Sequence, residues 1–206
     1  MNPVLPTKET SFNQTQLDEI KALIKAELEK SADVKVWKYK ELEVDKETNK
    51  TKVKISYSKA RLPVKKHASD TGFDVYVCFD DTSLAASEAQ GKKEPDPIIL
   101  YPGKTLRIPT GVCVHIPEGY EIQCRPRSGC SADGCAAILG SVDQDYTGHI
   151  QILACNTSNE PYEIRHGDRI AQLVVAKRCN ATMSWGEGEG PEKTERGANG
   201  FGSSGK

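Results

Sequence analysis

Residues 105–124 read TLRIPTGVCVHIPEGYEIQC. Leu106 and Ile108, then Val112, Val114 and Ile116, recur at every second position. That is the period of a pleated strand, whose alternate side chains share a face. Pro117, Glu118 and Gly119 interrupt the run as a turn, and Tyr120, Ile122 and Cys124 resume it. The same signature continues on both sides. Ile150, Ile152 and Ala154 form another strand, and 170–176 a more buried one. Upstream, Val34, Val36 and Lys38 alternate with Lys35, Trp37 and Tyr39. A polar stretch at 45–50 separates them from Val53, Ile55 and Tyr57, which suits a hairpin or two edge strands. Many short strands at close spacing predict an all-β sandwich or barrel.

Three stretches depart from that rhythm. Residues 15–30 predict an amphipathic helix, with Thr15 and Asp18 as a capping box and Leu17, Ile20, Ile24 and Leu28 at helical spacing. It either packs on its own domain or docks on an unknown partner. Residues 82–97 predict a surface insertion. Residues 186–206 are rich in Gly and Glu with little to bury, and predict a mobile tail. The expected organisation is an N-terminal extension over 1–51, a β core over 52–185 and a closing tail over 186–206.

The chain has 206 residues and a net charge of −1. Basic side chains prevail in the first 66 residues and acidic ones in the rest. The lysines of the extension read as a solvated edge that resists aggregation rather than as a nucleic-acid contact. The first ten residues hold no apolar signal-peptide core, and no apolar run is long enough to cross a membrane. A cytoplasmic location is therefore expected, in a host cell if the source is viral. The seven cysteines include no CxxC pair, and several fall in strand-like runs, where a thiol serves as a small hydrophobe.

Five segments carry polar chemistry: ASDTGFDV at 68–75, RPRSG at 125–129, GSVDQDYTGHI at 140–150, RHGDRIAQL at 165–173 and ERGANGFGSSG at 195–205. Two guanidiniums, a hydroxyl and a glycine backbone packed together at 125–129 suit a polyphosphate. The third segment sets two carboxylates and a tyrosine in a turn bounded by glycines. In the fourth, Gln172 lies amid apolar neighbours and needs a hydrogen-bond partner. The last offers backbone amides for phosphate oxygens and one aromatic face for a base. Each alone is a weak signal.

Together and in this order, the five segments resemble the motifs of the trimeric dUTPase family, over roughly residue 52 onward. The resemblance implies a jelly-roll-like β fold, a homotrimer with shared sites, Mg2+, and hydrolysis of dUTP to dUMP and pyrophosphate. It implies that Asp143 is the general base and that Tyr146 lies under the deoxyribose. A hairpin from about residue 137 to 151, with Ala137, Gly140, Ser141, Val142 and Gln151, would hold uracil through backbone groups. Arg127, Ser128, Gly129 and Gln172 would bind phosphates. Phe201 would stack on uracil, with Arg196, Gly202, Ser203 and Ser204 on the phosphates. Asp74 and Arg169 match structural positions of the motifs. No side chain is expected to ligate the magnesium, which would be held by phosphates and water. His149 follows Gly148 where the family often has an acidic or amide residue. The alternatives are a dCTP deaminase, an enzyme of a related fold, and a regulatory protein that binds dUTP as a switch.

Overall fold

The computed structural model describes residues 15, 18, 19, 21, 22, 32–44, 51–188, 190 and 193–198. Thr15, Asp18, Glu19, Lys21 and Ala22 are helical and exposed, and the rest of the expected N-terminal helix lies outside the described residues.

Thirteen strands lie among the described residues. They are β1 (Lys35–Lys38), β2 (Lys40–Val44), β3 (Thr51–Ser56), β4 (Phe73–Val75), β5 (Ile98–Leu100), β6 (Thr105–Pro109) and β7 (Val112–His115). The remainder are β8 (Tyr120–Pro126), β9 (Cys135–Ala137), β10 (Gly140–Val142), β11 (Gln151–Asn156), β12 (Tyr162–Ile164) and β13 (Ala171–Lys177). Every pairing between them is antiparallel. One sheet runs β10-β8-β13-β4 and a second runs β6-β11-β9, with the pairs β1-β7, β12-β5 and β2-β3 beside them. The predicted all-β architecture is what forms, in a jelly-roll-like arrangement around one core.

The alternation places side chains as the sequence implies. Ile122 and Cys124 of β8, Ile152 and Ala154 of β11, and Val112 and Val114 of β7 all point inward. Cys78, Cys124 and Cys135 are buried in this core, and burial pushes their thiols up to about 11. All seven cysteines are free. Leu106 departs from the pattern. With Ile138, Leu139 and Leu153 it leaves an exposed apolar surface around β6, β9 and β11.

Three features were not legible in the sequence. First, β1 joins the core by pairing with β7, while the hairpin is made by β2 and β3, with a register shift at Glu41/Leu42. The boundary expected at residue 51 thus falls at the start of the second strand of that hairpin. Second, the expected surface insertion begins with a helix, Asp81–Ala89. Asp80 caps it by accepting from the Ser83 N–H at 3.0 Å, and none of its residues is buried. Third, residues 137–151 do not form a hairpin. β9 pairs with β11, but β10 crosses to β8 in the other sheet.

The β6–β7 link passes through Thr110 and Gly111. Gly111 has φ +72°, and a Cβ there would meet the Ala60 Cβ at 2.8 Å and the Tyr57 Cβ at 2.9 Å, so only glycine fits. Its N–H donates to His149 Nε2 at 2.8 Å, and the Thr110 N–H does so at 3.3 Å. An imidazole accepting at Nε2 must be neutral, and burial lowers its pKa from 6.5 to about 4. The folded value lies below the unfolded one. The neutral ring's contribution to stability is therefore complete above pH 6.5 and shrinks as pH falls towards 4. The melting temperature should drop across that window, and His149→Gln, which does not titrate there, should make the drop shallower. An identical pH profile in the variant would show that His149 carries none of this acid sensitivity.

Candidate active site

The register of β13 brings three of the five motif segments together. Gln172 lies opposite Asp74 on β4 and Arg125 on β8. Asp74 is only 16% exposed at its side chain and is shared by two guanidiniums. Arg127 Nε donates to its Oδ1 at 2.8 Å, and Arg169 Nη1 to its Oδ2 at 3.0 Å. Arg127 Nη1 also donates to the Arg169 carbonyl at 2.8 Å. A half-buried carboxylate thus holds two like charges side by side, each in a charge-assisted hydrogen bond. Next to them, an open recess of about 350 Å³ is lined by Arg127, Cys130, Tyr162, Asp168 and Arg169.

Arg127 sits in extended conformation at the start of a short helix, Ser128–Ala132. Ser128 and Gly129 are exposed on it, and nothing lies within 4 Å of a Cβ placed on Gly129. Gln172 finds the partner its sequence context demanded, since its Nε2 donates to the Pro126 carbonyl at 3.0 Å. A Cβ on Gly72 would come 2.3 Å from Gln172 Oε1, so the glycine of the first segment makes room for that side chain. Sequence reading set Cys130 aside with the other thiols. It lies against the arginine pair, with its Sγ donating to the Arg169 carbonyl at 3.2 Å.

The third segment stands apart. Val142 is buried in β10, and Asp143 leaves the sheet exposed to solvent. The Tyr146 N–H donates to the Asp143 carbonyl at 3.1 Å, closing a turn. The Tyr146 hydroxyl donates to the His149 carbonyl at 2.9 Å, and its ring lies so close over Gly148 that a Cβ there would meet Oη at 2.6 Å. In the same turn, Gln144 Oε1 is buried and meets no hydrogen-bond donor among the described residues. Gly140 has open space around it, and Ser141 and Gln151 are exposed. Ala137 is buried in β9, so only its backbone could meet a ligand.

Within one chain the two groups are far apart. Val142 pairs with Ile122, five residues before Arg127 along an extended strand. At about 3.3 Å per residue that is roughly 16 Å, and Asp143 continues away from Arg127. Arg196 is exposed in a turn where the Gly197 N–H donates to the Thr194 carbonyl at 3.0 Å. Phe201, Gly202, Ser203 and Ser204 lie outside the described residues.

A family model described as dUTPase matches residues 93–205. A deoxyuridine 5'-triphosphate nucleotidohydrolase of Wolbachia sp. subsp. Brugia malayi is 38% identical over 158 residues, which span 74% of this chain and 99% of that protein. Its counterpart in Wolbachia sp. subsp. Drosophila simulans is 36% identical over 154 residues, spanning 72% of this chain and 98% of that one. Among solved structures, the Staphylococcus bacteriophage 80alpha dUTPase with dUPNHPP is similar, with a TM-score of 0.59 and 25% identity, covering 84% of this chain and 99% of that one. A mutant dUTPase of S. aureus phage phi11, which coordinates a structural Mg(II) ion, is similar in fold, with a TM-score of 0.52 and 21% identity over 76% of this chain and 97% of that one.

The arginine pair predicts its own test. Asp74→Ala leaves two adjacent guanidiniums without their shared carboxylate and should cost about 2 kcal/mol of stability. Denaturant unfolding reads this as a lower midpoint. An unchanged midpoint would mean that Asp74 does not hold the pair together.

Proposed function

The chain belongs to the dUTPase family, and on that premise we propose that it hydrolyses dUTP to dUMP and pyrophosphate, with Asp143 as the base. The observation that carries this reading is the turn of the third segment. It sets an exposed carboxylate beside an aromatic ring whose hydroxyl is already engaged, at 2.9 Å, by the backbone. The ring is thus a fixed wall rather than a free donor. A deoxyribose fits against such a wall, while a 2′-hydroxyl would clash with it.

In the reaction, the Asp143 carboxylate takes a proton from water as the water oxygen bonds to the α-phosphorus. The bond from that phosphorus to the oxygen bridging to the β-phosphate breaks, and pyrophosphate departs with the electron pair. Arg127, Ser128, Gly129 and Gln172 bind the phosphates, with Asp74 and Arg169 holding Arg127 in place. Backbone groups at Ala137, Gly140, Ser141, Val142 and Gln151 select uracil, since a base with the wrong donors leaves them unpaired. Arg196, Phe201, Gly202, Ser203 and Ser204 close the site from the tail. Among the described residues no three His, Cys, Asp or Glu side chains gather into a metal cage. We infer that Mg2+ would be held chiefly by phosphate oxygens and water, where it would neutralise charge on the triphosphate.

The separation of Asp143 from Arg127 along β8 supports a site built from more than one chain. A homotrimer supplies it, because each heterologous contact repeats until the ring closes. The exposed Leu106, Ile138, Leu139 and Leu153 offer apolar surface for such contacts. The substrate is a soluble precursor of DNA, and the cytoplasm is the compartment we assign. Among the described residues, no helix is long and apolar enough to cross a membrane.

Asp143→Asn keeps the shape but removes the proton acceptor, so kcat should fall by about a hundredfold or more while nucleotide binding persists. Pyrophosphate release from dUTP measures it, and near-normal turnover would sink the assignment. Ammonia release from dCTP in place of pyrophosphate from dUTP would instead indicate a deaminase. A chain truncated before Glu195 should be inactive as well. Refolded together, the two dead variants should form mixed trimers that regain measurable activity. Mixed trimers as inert as their parents would argue against shared sites.

A further inference from the structure

His149 has two attachments that its neighbours in the turn lack. Its carbonyl accepts the Tyr146 hydroxyl at 2.9 Å. Its imidazole, held at Nε2 by the Thr110 and Gly111 N–H groups, is also packed by two rings from outside residues 93–205, where the family model matches. The Tyr39 ring stacks on it, with centroids 4.8 Å apart and planes 14° from parallel. The Tyr57 ring packs against it at 4.7 Å, tilted by 51°. The Tyr39 N–H donates to the Gly111 carbonyl at 2.8 Å, and the Gly111 N–H donates to His149 Nε2 at 2.8 Å, which ties the ring and the first tyrosine to one peptide.

Tyr57 is held in turn from the insertion. The Asp81 carboxylate, in the first turn of the helix Asp81–Ala89, accepts the Ser58 N–H at 2.9 Å and 3.1 Å and the Ser58 hydroxyl at 2.7 Å. It also accepts the Ser56 hydroxyl. The residues on either side of Tyr57 are thus anchored to the insertion, while Tyr39 belongs to the N-terminal extension.

We propose that Tyr39 and Tyr57 are positioning residues for sugar selection. They fix the His149 ring, and the same residue's carbonyl fixes the Tyr146 ring against which the deoxyribose lies. The inference rests on the sugar-facing reading of Tyr146 given above. A residue whose side chain is clamped by two rings and two N–H donors cannot shift its carbonyl freely, because Cα joins the two. Loosening the clamp lets the wall move. A displacement of about 1 Å at a reacting or selecting group costs up to a hundredfold in rate. The extension and insertion therefore sharpen the choice of dUTP over UTP without touching either.

The test compares the ratio of kcat/KM for dUTP to that for UTP in the full-length protein, below each variant's melting temperature. Tyr146→Ala should lower the ratio most. Tyr39→Ala should lower it by about tenfold, and Tyr39→Phe, which keeps the stacked face, should not. In a Tyr146→Ala background, Tyr39→Ala should change the ratio no further, since the wall it positions is gone. A purely structural role would lower stability and both substrates' rates together and leave the ratio alone. If Tyr39→Ala does not fold, Tyr39→Leu keeps bulk without the aromatic face and carries the same expectation. A ratio unmoved by Tyr146→Ala overturns the sugar reading and this inference with it. A ratio lowered by Tyr146→Ala but unmoved by Tyr39→Ala or Tyr39→Leu overturns the inference alone.

Discussion

One carboxylate organises the half of the candidate site to which we assign phosphate binding. Two guanidiniums repel each other, and neither would stay beside the other in a half-buried place without a shared counter-charge. Asp74 supplies it from β4, at 2.8 Å and 3.0 Å to the two arginines. That position exists only because β13 pairs with β4 on one side and β8 on the other, so the register of a single strand sets the distance between the three motif segments. The same register directs Gln172 into the space that Gly72 leaves and towards the Pro126 carbonyl. Sheet geometry and electrostatics thus depend on one another. A slip of one residue would turn Gln172 to the other face and strand both arginines.

The other half of the chemistry follows a different logic. β8 is a straight ruler with arginine at one end and the Asp143 turn beside the other. No side-chain rotamer spans a gap of roughly 16 Å. On the reading proposed above, a catalyst that must place a water, an α-phosphorus and two further phosphates within a few ångströms would draw these groups from neighbouring chains. In that proposal, assembly is a condition of chemistry rather than an addition to it. The same proposal gives a use to the exposed apolar side chains Leu139 and Leu153.

Much of this was written in the period-2 pattern. Strands β7, β8 and β11 are long enough for alternation to show, and their inward residues lie where the pattern puts them, while β13 is the more buried run that 170–176 predicts. Strands of three residues, such as β4, β9 and β10, carry too few positions to reveal a period. Their pairing depends on residues distant in sequence. The hairpin at about 137–151 came from the family resemblance rather than from any local period, and the chain in fact crosses between sheets there. The pairing of β1 with β7 was hidden by the same non-locality. The helix at Asp81–Ala89 left a local trace in its Asp80 cap, but none of its residues is fully buried and only Leu84 packs partly against the core, so no apolar stripe marked it. At the site, the motif residues were recognisable as a set, whereas the sharing of Asp74 and the place of Cys130 were not. His149 stood out only as a departure. Its meaning lies in Tyr39 and Tyr57, which no local window contains.

The Asp81 clamp has a consequence for how such a chain could be rebuilt. A hairpin gained alone would leave the Ser56 and Ser58 hydroxyls to solvent, and a helix gained alone would leave Asp81 without its donors. Each segment is worth more in the presence of the other. The two segments are therefore physically coupled, since losing either strips hydrogen bonds from the other. A designer grafting one of them onto another protein would need to carry the other with it.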